Sequence, residues 1–213
     1  MFKFLTSSRK KWWKERKINW EHDYLSTFSH PHRALIVAAL QSFNWISLWE
    51  IGVGGGANIM RILRDFQVTP ERPRQLHGSD VNPDAVAFCQ KTFTGGKFRV
   101  ESAEKLFMSD KSVDVTLSDA TLIYLGPGKI QKAIKELVRV SRQRIVLCEF
   151  HGTSLWKRWL LRLKTGYNAY NYQKLLEDAG CWDIQIVKMP EQLWAGFPWQ
   201  PWGHVIVARV PNT

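Results

Sequence analysis

The chain of 213 residues suits one domain with an appendage, and its 45% hydrophobic content is enough to fill a core. Its formal net charge of +11 favours anionic partners such as nucleic acid, phosphorylated metabolites or a membrane surface, but selects no chemistry. No stretch approaches the roughly 18 apolar residues of a membrane span. No apolar core of a secretion signal follows Met1, and Cys89, Cys148 and Cys181 stand far from one another and from any metal-ligand spacing, which argues for reduced thiols, no metal and a cytoplasmic setting.

In chain order, residues 1–20 interleave Trp12, Trp13 and Trp20 with Lys3, Arg9, Lys10, Lys11, Lys14, Arg16 and Lys17, against the lone acid Glu15. Such a basic helix reads as a surface-binding element, peripheral on a membrane or on RNA, or as a solvated arm whose aromatics dock on the domain. His30-Pro31-His32-Arg33 opens an apolar helix at 34–40, with Pro31 near its first turn. With no carboxylate cluster beside them, the two histidines read as a helix start overhanging a pocket. Residues 1–40 are therefore taken as a basic helical arm or lid, and 41–213 as the core.

The first strand spans 46–51 and runs into Gly52-Val53-Gly54-Gly55-Gly56. A helix to about residue 66 follows, with Ile59, Met60, Ile62, Leu63 and Phe66 on one face. A strand, a glycine turn and a helix form a crossover whose backbone can approach a ligand closely. The alternative is a tight turn that needs positive φ, but that would require fewer glycines. A loop with Pro70 and Pro73 leads to a second strand, 76–81, carrying Asp80. Asn82-Pro83-Asp84 opens a helix broken at Gly95-Gly96, and the third strand, 98–100, leads to Ser102-Ala103-Glu104. The fourth strand, 113–117, ends at Ser118-Asp119-Ala120. Ile130, Ala133, Ile134, Leu137 and Val138 then stripe a helix. The continuous apolar run 145–150 suits a parallel strand covered on both faces. A second basic helix with Trp156, Trp159, Leu160 and Leu163 follows, then a helix stopped at Gly180 and two final strands at 184–187 and 204–210. Alternating strands and helices define an α/β fold with a largely parallel sheet.

Four of these segments fall at strand C-termini, the ligand edge of open α/β sheets. Asp80 is placed to accept from two ribose hydroxyls, Ser102-Ala103-Glu104 to frame a base, and Asp119 to lie beside the glycine loop. In this order Glu50-Ile51-Gly52-Val53-Gly54-Gly55-Gly56-Ala57-Asn58, Gly78-Ser79-Asp80-Val81-Asn82-Pro83, Ser102-Ala103-Glu104-Lys105-Leu106 and the stretch 112–125 resemble the class I S-adenosylmethionine-dependent methyltransferases. The resemblance covers 46–151. It implies a Rossmann-like, seven-stranded, mostly parallel sheet with helices on both faces and an antiparallel C-terminal strand. It also implies S-adenosylmethionine as cofactor, with Glu50, Gly52, Gly54 and Gly56 at the methionine end, Asp80 and Val81 at the ribose, Ala103 and Glu104 at the adenine, and Asp119 nearby. Two departures stand out: Ser102 occupies a position where an acid or amide is common, and Tyr124 one where many relatives carry histidine.

The segment 122–130, continuing to Glu149-Phe150-His151, resembles bacterial methyltransferases of sugar and surface-glycan pathways. A small-molecule or sugar acceptor methylated at oxygen is the reading that follows, with His151 and then Asp119 as candidate general base and Glu149 as a structural acid. Three rivals remain. A nicotinamide oxidoreductase would use Gly52 to Ala57 as G-x-G-x-x-A, but Glu50 before the glycines and the lack of a hydride-transfer constellation disfavour it. An RNA methyltransferase suits the charge, although Ser118-Asp119-Ala120-Thr121 is not the Asn/Asp-Pro-Pro-Tyr loop of base amino methylation. A membrane-surface or glycan-binding module without catalysis would use the basic tryptophan helices alone.

Overall fold

Strand β1 (Ser47–Ile51), buried along its whole length, lies inside a seven-stranded sheet. The computed structural model describes residues 8–212, with side chains from residue 11 onward. The remaining strands are β2 (Gln75–Asp80), β3 (Phe98–Val100), β4 (Val113–Asp119), β5 (Ser141–Phe150), β6 (Trp182–Lys188) and β7 (Gly203–Arg209). Their spatial order is β3-β2-β1-β4-β5-β7-β6, and only β7 runs against its neighbours. This is the Rossmann-like mixed sheet expected from the sequence.

The pleat sends alternate side chains to opposite faces. From β1 and β5, Trp49, Ile51, Ile145 and Leu147 meet α6 (Pro127–Val140) and α8 (Tyr172–Glu177). Leu48, Val146 and Cys148 face the other way, toward α3 (Arg33–Gln41), α4 (Ala57–Asp65) and α5 (Pro83–Thr92). Both faces of the central strands are thus dry, which accounts for the unbroken apolar run in β5. That strand begins at Ser141, four residues before the apolar run, because α6 passes directly into it. There the Ser141 hydroxyl donates to Leu137 O at 2.7 Å and shares a 2.9 Å hydrogen bond with the Thr116 hydroxyl.

Ahead of α3 the described part of the arm holds two helices. α1 (Ser8–Glu15) and α2 (Trp20–Thr27) are separated by residues 16–19, and the Asn19 side chain caps α2 by accepting from His22 N–H at 3.0 Å. The arm is also tied to the core. The Asn82 amide donates to Trp13 O and Arg16 O, both at 2.8 Å, and Trp20 is buried. Residues 1–7 of the basic segment lie outside the described residues.

Candidate active site

The parallel register brings the ends of β1, β2 and β4 to one edge: Ile51 stands opposite both Ser79 and Ser118. Gly52 N–H and Val53 N–H both donate to Ser79 O, at 2.7 and 3.0 Å, which pins the turn above β2. Over this edge lies a cavity of about 330 Å³. Its floor includes Glu50, Gly52, Gly54, Asp80, Val81, Ala103 and Asp119, and its roof comes from the arm, with Trp13, Arg16, Trp20, Asp23 and Arg33.

Three of the residues singled out in the sequence lie elsewhere. Gly56 has φ +80°, and an added Cβ would run into the Phe93 ring, so packing and backbone conformation demand glycine there without a ligand. Glu104 accepts from the Ser102 hydroxyl at 2.7 Å and pairs with Lys129 at 3.3 Å. His151 sits outside the cavity, where Nδ1 accepts the Tyr172 N–H at 3.2 Å at the start of α8 and the ring lies against His204. Burial, then the neighbouring His204 and Arg158, lower its pKa to about 4, leaving it a weak base. Glu149 is structural: fully buried, it accepts from the Ser118 hydroxyl and from the backbone N–H groups of Thr121, Leu122 and Ile123, holding the 3-10 turn Leu122–Tyr124.

One end of the cavity gathers buried polar atoms. Asn58 Nδ2 donates to Glu50 Oε1 at 2.7 Å and to Asp119 Oδ2 at 3.0 Å. His32 Nε2 lies 2.9 Å and Arg33 Nη2 3.8 Å from the same Asp119 oxygen. Glu50 Oε2, Asn58 Oδ1, Asp119 Oδ1 and Arg33 Nε have no hydrogen-bond partner among the described residues. Buried polar atoms are ordinarily paired, so a cluster of this kind calls for a ligand. Three acceptors and a guanidinium donor suit a zwitterion, with the acceptors for an ammonium and the donor for a carboxylate.

The two carboxylates titrate in opposite directions. Burial pushes Glu50 up to about 8, only partly countered by the Asn58 hydrogen bond. Burial acts on Asp119 too, but the charge and hydrogen bond of His32, then Arg33 and Asn58, hold it well below the usual carboxylate range. A low-pKa carboxylate binds a cation well and takes up a proton poorly. Asp80, at the next strand end, is raised by burial; its two oxygens already accept from Gly54 N–H at 3.0 Å and Asn82 N–H at 2.8 Å, which orients the carboxylate and leaves lone pairs for further donors.

Asn58, Arg33 and Glu101 were missed by the sequence reading. Asn58 closes the glycine segment and is fixed in the cavity by the first turn of α4, but nothing local marks it as polar contact rather than helix start. Glu101 follows β3 and has a buried Oε2 with no partner among the described residues; it stands one residue before Ser102, where the acid expected of the pattern is absent. His32, Asp119 and Cys148 offer ligand atoms within 4.8 Å of one another. Burial, then the charge of Asp119, pushes the Cys148 thiol well above its usual range.

A nucleotide-cofactor edge of an open α/β sheet is the class that fold and cavity define. Residues 49–144 match a family model described as a methyltransferase domain. Among solved structures, the YcgJ protein of Bacillus subtilis is 14% identical, with a TM-score of 0.63, covering 86% of this chain and 100% of its own. The magnesium protoporphyrin IX methyltransferase of Synechocystis PCC 6803 with bound SAH is also 14% identical, at TM-score 0.61, covering 96% and 94%. The CurJ carbon methyltransferase is 18% identical at TM-score 0.62, covering 84% of this chain and 54% of that one. At such identities these structures speak for the fold alone. No curated protein matches the sequence. Residues 49–144 thus carry a methyltransferase domain, set on an open α/β sheet of the same fold as these enzymes.

Proposed function

We propose that the protein holds the methionine end of S-adenosylmethionine against Glu50, Asn58 and Asp119 and methylates a hydroxyl oxygen of a small-molecule or sugar acceptor. The observation that carries this reading is the set of buried, unpartnered acceptor atoms on those three side chains, with Arg33 Nε as donor beside them. Bound there, the cofactor supplies a methyl group on a sulfonium, open to in-line displacement. Gly52 and Gly54 let the backbone come close, Asp80 and Glu101 serve the ribose hydroxyls, and Val81 and Ala103 give an apolar seat for the base. The protein's remaining task is alignment and exclusion of water, which the roof residues Trp13 and Trp20 support.

For the acceptor's proton, Asp119 is poorly suited because its neighbours lower its pKa and leave it a weak base. Asp23, on the roof helix α2, borders the same cavity, and burial raises its pKa despite Arg33 and Arg16, making it the stronger base. We assign it the role first considered for His151. The looser resemblance of residues 122–130 and 149–151 supports a sugar or glycan-precursor acceptor. The net charge of +11 and the basic tryptophan helices support an anionic surface as an additional partner.

The test is a methyl-transfer screen with labelled cofactor over glycan precursors, small phenols, carboxylates and bulk RNA. Transfer to a hydroxyl of a small acceptor is expected. Transfer to RNA alone would overturn the acceptor assignment, and no transfer together with no binding of S-adenosylhomocysteine would overturn the whole reading.

A further inference from the structure

Helix α7 (Leu155–Thr165) turns its apolar stripe away from the protein. Of its residues only Leu161 is buried, packed in a cluster with Phe150, Ile123 and Ala169. At 3.6 residues per turn, Leu155, Trp156, Trp159 and Leu163 fall on the side opposite Leu161. Their exposures are 75%, 65%, 51% and 46%, in that order. The Trp156 and Trp159 rings stack on each other at 5.0 Å and leave their outer surfaces open. The exposed Lys157 and Lys164 lie between the stripe and Leu161 on one side, the half-buried Arg158 and Arg162 on the other, and the helix carries no acid. A helix that served only the fold would show the reverse pattern, with apolar residues inward and cations outward.

We propose that α7 docks the protein on the surface of an anionic lipid bilayer, with the Leu155, Trp156, Trp159 and Leu163 side chains among the acyl-chain boundary and the flanking cations at the headgroups. This sharpens, and rests on, the anionic-surface reading above, and it is independent of the methyl-transfer assignment. The chemistry selects the occupant. Tryptophan prefers the polar–apolar boundary, and exposed leucines gain from hydrocarbon. Negatively charged headgroups complement the four cations. RNA would stack on the indoles but offers Leu155 and Leu163 nothing. A second copy pairing through α7 would set four cations against four. A second basic helix lies near the same rim: Trp13 of α1 meets Tyr124 edge-on at 5.2 Å, Tyr124 meets Tyr167 at 5.6 Å, and Trp12 is half exposed.

The experiment is co-sedimentation of the full chain with vesicles of phosphatidylcholine plus phosphatidylglycerol, against phosphatidylcholine alone, and in parallel a binding titration with bulk RNA. The protein should pellet with the anionic vesicles and lose affinity as salt is added. Trp156→Glu/Trp159→Glu and, separately, Leu155→Ser/Leu163→Ser should each weaken vesicle binding about tenfold or more. An unchanged far-ultraviolet circular dichroism spectrum and melting temperature in both variants show that they fold. Vesicle binding that ignores the leucines overturns the proposal, as does a wild-type chain that sediments as a dimer broken by these substitutions. Binding to RNA without binding to vesicles overturns the bilayer inference while sparing the anionic-surface reading. Binding to neither overturns both.

Discussion

Glu50 and Asp119 accept from one amide group, yet one is driven up and the other down, and this opposition is the chemical signature of the site. Glu50 stands at about 8 in the folded chain against an ordinary 4.5, so the folded state holds a proton the unfolded state has released between those values. Its contribution to stability is therefore full below about pH 4.5 and is lost as pH rises toward 8. Glu50→Gln should flatten the fall in melting temperature across that window. Asp119 behaves oppositely: its depressed value favours the fold above the ordinary carboxylate range and ceases to do so in acid. Because an ammonium needs the ionised Glu50, affinity for S-adenosylhomocysteine should climb from pH 6 to 8 in the wild type and lose most of that slope in Glu50→Gln, as read by calorimetry. Asp23→Asn should lower kcat by about a hundredfold or more while leaving cofactor affinity unchanged. Equal loss in both would make Asp23 a binding residue. Glu50, Asp80 and Asp119 were legible as acids at strand ends. Asn58, Arg33 and Glu101 were not, because their meaning comes from what faces them across the cavity.

At the level of elements, the glycine segment divides its labour. Gly52, Gly54 and Gly56 all take positive φ, but Gly52 and Gly54 also border the cavity, whereas Gly56 meets the Phe93 ring at the start of α4. Gly56→Ala should cost stability by about 1–3 kcal/mol in a denaturant titration and spare cofactor affinity in the fraction that folds. A drop in affinity at unchanged stability would return Gly56 to the binding site. His151→Ala should keep methyl transfer but lose the hydrogen bond at the start of α8, at about 0.5–2 kcal/mol by analogy with a helix cap. An inactive but fully stable variant would restore His151 as the base. The sheet was legible because strands buried on both faces leave continuous apolar runs. The division of the arm into α1 and α2 was not, since no Pro or Gly marks residues 16–19. The break relies on the Asn19 cap and on Asn82, distant in sequence, which takes the carbonyls of Trp13 and Arg16.

Seen whole, the molecule is an open α/β sheet whose ligand edge is roofed by its own N-terminal segment. Residues 1–40 were expected to form an arm or lid. The described part of that segment sends Trp13, Arg16, Trp20, Asp23 and Arg33 into the cavity wall, and the buried indole N–H groups of Trp13 and Trp20 have no hydrogen-bond partner among the described residues. The sequence shows the tryptophans and cations but not their direction, because the roof is built by docking across α4 and α5 rather than by a local motif. None of the described helices is long and apolar enough to cross a membrane, so the outward stripe of α7 is a surface feature of the fold. Trp13→Ala should open the roof, leaving the melting temperature of the unliganded protein little changed and speeding release of S-adenosylhomocysteine in stopped flow. The most direct measurement is calorimetric titration of S-adenosylhomocysteine, with NADH as the competing nucleotide, into the wild type and Glu50→Gln. Saturable binding of S-adenosylhomocysteine, none of NADH, and a weakening of about tenfold to a hundredfold in the variant are predicted, the loss of one charge-assisted hydrogen bond. Preference for NADH, or an affinity that Glu50→Gln leaves unaltered, would contradict the account.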